Sequence, residues 1–196
     1  MGERRAAAAG RTGESALVPG EVVERRQRAL ALLAAAALFL ASVEYVIPKP
    51  VPFLKLGLAN LPVLVALTVM RPREVLTLVA LKVVGQGIVQ GTLFSYIVLF
   101  SAAGSLASAV VMLLLYHGAG RHVSLVGVSI TGALASNLAQ VAAARLIIFG
   151  ESAWLIAPAF LITGTVSALL LGLFAERFVA RSRWLREFRQ VCAAAP

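Results

Sequence analysis

The chain has 196 residues, 60% of them hydrophobic and only 14% charged, with a mean hydropathy of +0.89; this balance excludes a water-soluble globular domain. The net charge of +9 does not point to nucleic acid, because the basic residues gather at the ends of apolar runs, where membrane topology places them. A single cysteine, Cys192, and acidic residues that are all glutamate leave no basis for disulfide, zinc or aspartate chemistry, and no cofactor or metal is expected.

Residues 1–28 read as a disordered basic tail, since the first twenty are rich in Ala, Gly and Arg and carry no apolar periodicity. A cleaved signal peptide is not expected, because the apolar stretch is about 19 residues long and Glu44-Tyr45 is no small-residue cleavage site. Six apolar runs follow, at roughly 29–47, 56–70, 75–91, 94–116, 123–149 and 154–176, to be compared with the ~20 residues that cross a bilayer. The second and third are short and marked by polar residues, which predicts helices that are tilted, broken or shielded by neighbours.

The expected fold is an all-α integral membrane protein, a compact bundle of six transmembrane helices over 29–178 with both termini cytoplasmic. That orientation puts fourteen of the eighteen basic residues inside: those of the tail, Arg71, Arg73, Arg121, and the run from Arg177 to Arg189. Only Lys49 and Lys55 lie outside, with Lys82 and Arg145 within spans, a contrast that fits a multi-pass protein of the cytoplasmic membrane. Residues 179–196 read as a basic amphipathic tail, either an interfacial helix on anionic lipid or a snorkelling flank.

Small residues mark helix seams. Ala31 and Ala35, and likewise Ala37 and Ala41, lie four apart on one helical face, as an intramolecular seam or a partner-docking face requires. Gly87 and Gly91 form a GxxxG, and Gly104-Ser105-Leu106-Ala107-Ser108 echoes Gly132-Ala133-Leu134-Ala135-Ser136; both read as packing.

Polar side chains at bilayer depth are costly unless they face protein, water or a ligand. Lys82, Gln86 and Gln90 form one stripe at spacing four, and Asn137, Gln140 and Arg145 a second. Together they predict a cavity open to the outside, with Glu44, Lys55 and Asn60 joining it from the end of the first span and the Pro-rich segment 48–60. That segment cannot be an ordinary helix; it reads as an outer loop, a lid over the cavity or a broken helix lining it, against the plainer reading of a turn. Three cations (Lys55, Lys82 and Arg145) against Glu44 suit a carboxylate or phosphate ligand. The competing account has these groups pairing with one another, with Glu151 or with broken backbone. His117 and His122 read as interfacial, and no HExxH, paired-carboxylate or phosphate-loop pattern is present.

Val43-Glu44-Tyr45-Val46-Ile47-Pro48, Lys55-Leu56-Gly57-Leu58-Ala59-Asn60, Gly91-Thr92-Leu93-Phe94-Ser95, Gly127-Val128-Ser129 and Ser136-Asn137-Leu138-Ala139-Gln140 resemble the Gx transporter family, also labelled heptaprenyl diphosphate synthase component I, over roughly 30–178. The resemblance implies a fold similar to the substrate-capture subunits of energy-coupling-factor transporters. In those, a small-residue face on the first helix, matched here by Ala31 and Ala35, docks a transmembrane coupling subunit driven by paired ATPases. The ligand then lies near the outer surface, under the loop that follows that helix. Prenyl elongation by Asp-rich magnesium motifs cannot be carried by a chain without aspartate, so no enzyme activity is expected. The expected function is uptake of a small anionic or vitamin-like solute, powered by a separate ATP-driven module. The alternative is a membrane accessory protein of isoprenoid, quinone or flavin-linked metabolism that binds a prenyl or quinone-type lipid, with a crevice open sideways.

Overall fold

The computed structural model describes residues 19–46, 57–120 and 123–193; Lys49, Lys55, Arg121 and His122 lie outside them. The described residues form seven α-helices in order: α1 (Pro19–Val46), α2 (Leu61–Leu67), α3 (Pro72–Val89), α4 (Tyr96–Gly118), α5 (Leu125–Ala144), α6 (Ala153–Arg181) and α7 (Arg183–Ala193). A 3-10 turn, Leu58–Asn60, precedes α2, and a π turn, Arg145–Phe149, extends α5. Four of the helices, α1, α4, α5 and α6, are long and apolar enough to cross a membrane, which makes this a multi-pass membrane protein.

The second predicted run is broken. Pro62 stands at the start of α2, Gly57 adopts φ 76°, and the helix itself lasts seven residues, about 10 Å at 1.5 Å per residue. Pro62 to Leu67 are all buried, so α2 is a plug inside the bundle, apolar on every side. At the opposite limit, α1 starts ten residues ahead of its apolar run, and the expected disordered tail is corrected over residues 19–28. Val22 and Ala29 are buried, Glu24 pairs with Arg28, and Arg26 reaches Glu74 of α3 at 2.9 Å; tertiary contacts and ion pairs hold a helix that composition conceals.

Pairwise contacts fix the directions. The Arg26–Glu74 bridge joins the N-terminal part of α1 to the first turn of α3. Glu176, near the end of α6, accepts the Val126 N–H at the start of α5, filling one of the donors that every helix start leaves open. The starts of α1, α3 and α5 therefore share a basal end with the close of α6, and α4 and α6 run antiparallel to α5. The echoed segments pack on one another: a Cβ on Gly104 would fall 2.5 Å from Gln140 Nε2 and 2.8 Å from Ser136 Oγ, while one on Gly132 would strike Met112 and Ser108. Each glycine makes room for side chains of the facing helix, so close approach of α4 and α5 is built into the sequence.

At the basal end α7 presents Arg183, Arg186 and Arg189 outward and buries Leu185 and Phe188 in the core cluster with Ala29, Val75 and Ala175. The apolar stripe of α7 is packed against the bundle. On α1, Ala37 and Ala41 are buried and form an internal seam, whereas Ala31 and Ala35 face outward.

Candidate functional site

The end opposite the basal one holds an interior polar chamber. Its polar lining comprises Glu44 from α1, Asn60 from the 3-10 turn, Lys82 and Gln86 from α3, Ser101 and Ser105 from α4, and Ser129, Ser136, Asn137 and Gln140 from α5. Ala133, Gly164, Ala168 and Leu171 also line it, from α5 and α6. Five of the nine residues predicted to bind a ligand thus meet there from α1, α3 and α5, and Asn60 joins them.

The chamber is organised around the returning chain. Glu44, 6% exposed, accepts the N–H groups of Gly57 at 3.2 Å and Leu58 at 2.9 Å, so a buried carboxylate caps the turn that leads into α2. Gly57 is required where φ reaches 76°. Lys82, 5% exposed, donates from Nζ to Asn60 Oδ1 at 2.5 Å and to Ser105 Oγ at 3.5 Å. The ammonium consequently ties α3 to both the 3-10 turn and α4.

On the other wall Asn137 Nδ2 donates to the Phe160 carbonyl at 2.8 Å, Gln140 Nε2 to Ser136 Oγ at 2.9 Å, and Ser129 Oγ to the Ala168 carbonyl at 2.8 Å. Gly164 makes the first of these possible, because a Cβ there would overlap Asn137 Nδ2. Gln86 lines the chamber, and its side chain makes no hydrogen bond among the described residues. The chamber's space is about 50 Å³, room for a few water molecules at about 10–15 Å³ each.

Three predicted members are not part of this lining. Lys55 lies outside the described residues. Gln90 follows the last residue of α3 and sits at its C-cap, away from the chamber. Arg145 is exposed beside Trp154 on the outside of the bundle; at ~100° per residue it is turned about 140° from Gln140, and the α5 stripe ends before it. Lys82 and Glu44 are therefore the chamber's charged groups among the described residues, one of each sign. The serines were missed by sequence reasoning. A hydroxyl in a membrane helix commonly bonds its own helix backbone, so nothing in the sequence separates Ser129 from Thr131, whose Oγ1 donates to the Gly127 carbonyl.

A second space, an apolar crevice of about 690 Å³, opens sideways between Leu58 and Leu61 on one side and Ile162, Val166, Leu170 and Phe174 on α6. Leu171 lines both it and the chamber.

No curated protein and no solved structure matches the chain. The sequence profile described as heptaprenyl diphosphate synthase component I matches residues 33–178, a stretch that contains every chamber residue. With about three quarters of its length so covered, the protein belongs to the heptaprenyl diphosphate synthase component I family, the Gx family.

Proposed function

We propose that the protein is a membrane substrate-binding subunit, which captures a small anionic or vitamin-like solute in the chamber for uptake powered by a separate ATP-driven module. Convergence carries this reading: an ammonium, a carboxylate and four carboxamides from four segments meet in the interior of an apolar bundle, where polar groups are expensive and packing alone has no use for them. A carboxamide nitrogen carries two N–H groups, and Asn137 and Gln140 each make one internal bond through theirs.

Solute sites run to about 300–1,000 Å³ against the chamber's 50 Å³. Admission in this reading therefore draws the 3-10 turn away from α3, opening the Lys82–Asn60 bond and the Glu44 clamp. The six-span topology in the cytoplasmic membrane, with both termini inside, belongs to the same proposal. It is supported by the positions of Arg26, Arg28, Arg71, Arg73 and Arg177 to Arg189 at the basal end. A component I implies a partner, and the outward face of Ala31 and Ala35 is proposed as the docking surface of a transmembrane coupling subunit. Catalysis is not assigned to this chain, which has no aspartate.

Native mass spectrometry of the purified full chain tests the reading. A water-soluble ligand retained by the wild type and lost in Lys82→Ala and Asn137→Ala is expected; undiminished retention in both variants would overturn it. The apolar crevice supports a second reading, an accessory protein holding a prenyl or quinone-type lipid for a separate enzyme. A bound species that partitions into chloroform and is excluded by Val166→Trp selects that reading.

A further inference from the structure

Arg145 and Trp154 close the upper rim of a third space, a groove of about 650 Å³ on the outer surface between α5 and α6. Its floor is Val141, 5% exposed, and Ala157, 6% exposed; its walls include Leu138 and Leu161. The guanidinium carbon lies 5.9 Å from the centroid of the Trp154 ring, a cation–π distance. The π turn that begins at Arg145 and Gly150, at φ 51°, shape the rim above. The groove shares no lining residue with the chamber, and unlike the crevice beside Leu171 it carries a cation.

Its order is polar rim, then apolar trough. Arg145 follows the last residue of α5 and Trp154 is the second residue of α6, so both stand toward the ends of their helices, near the depth where a bilayer changes from hydrocarbon to headgroup. Tryptophan prefers that level because its ring is apolar and its N–H polar. Guanidinium is a planar fork of five N–H donors matched to phosphate oxygens, with capacity for a phosphate beside its other contacts. Below it, a trough floored by alanine and valine has the apolar character that suits an acyl chain.

We propose that this groove is a binding site for an anionic phospholipid, with the phosphodiester on Arg145 and one acyl chain lying along Leu138, Ala157 and Leu161. Charge complementarity selects this occupant over a plain hydrocarbon chain, and the apolar floor selects it over free phosphate. The inference is independent of what the chamber binds.

The test uses the purified full chain and native mass spectrometry with phosphatidylglycerol and phosphatidylcholine of identical acyl chains. The wild type is expected to retain phosphatidylglycerol about tenfold better, the scale of one charge-assisted contact, and inorganic phosphate is expected not to compete. Arg145→Gln brings the two lipids to parity, Arg145→Lys keeps part of the preference, and Arg177→Gln at the basal end leaves it intact. Equal retention of both lipids by the wild type, or a preference that survives in Arg145→Gln, overturns the proposal, and displacement by inorganic phosphate assigns the site to a soluble anion instead. Should glutamine at 145 disturb folding, Trp154→Ala, a change at a side chain 54% exposed, reads the same site and is expected to lower phosphatidylglycerol retention; unchanged retention there counts against it.

Discussion

Lys82 Nζ stands 2.5 Å from Asn60 Oδ1, a bond across 22 positions of sequence that fastens α3 to the turn where the chain re-enters the bundle. Because the pair is interior and the lysine is 5% exposed, removing one partner leaves the other under-bonded at low dielectric. A double-mutant cycle of Lys82→Met and Asn60→Ala, read as thermal stability in detergent, is expected to give a coupling of about 1–3 kcal/mol. Strictly additive losses would mean the bond is not formed.

Glu44 accepts two backbone N–H groups with its two oxygens. In Glu44→Gln only one carboxamide oxygen remains to accept them, so hydrogen exchange at the Gly57 and Leu58 amides should accelerate, and Glu44→Ala should accelerate it further. Protection unchanged from wild type in the alanine variant contradicts the clamp.

Gly164→Ala places a methyl where Asn137 Nδ2 now lies. The expected cost is about 1–3 kcal/mol from overpacking and the displaced amide, together with weaker ligand retention. A methyl on Gly118 would meet nothing within 4 Å, so Gly118→Ala serves as the neutral comparison in the same melting experiment.

Ala31 and Ala35 face outward while Ala37 is fully buried. Ala35→Leu should melt as the wild type does and yet fail to co-purify with a coupling subunit; Ala37→Leu should lower the melting temperature outright, because overpacking a close seam costs about 1–3 kcal/mol. Co-purification undiminished by Ala35→Leu and Ala31→Leu removes the docking assignment.

The chamber was legible wherever a strongly polar side chain interrupts an apolar run. Lys82, Gln86, Asn137 and Gln140 announce themselves because hydrocarbon tolerates them poorly, and Gly57 and Pro62 announce the broken second span. Arg145 carried the same signal and led elsewhere, since an arginine at a span's end is equally satisfied at the headgroup level. The stripe rule also fails past a helix end, which is why Gln90 left its register. The first turns of α1 were hidden because Arg26 finds its partner in Glu74, 48 positions away, and no local pattern reports a tertiary ion pair. Likewise the exposure that separates Ala31 from Ala37 depends on which neighbours pack against α1.

The chamber's occupancy is the central claim, and filling it is the most direct probe. Ala133 lines the chamber without making any of its hydrogen bonds, so Ala133→Leu blocks the space and leaves the polar network in place. Native mass spectrometry of this variant should show a folded but unliganded protein; a ligand bound at wild-type occupancy beside the leucine would contradict the assignment of the chamber as the binding site.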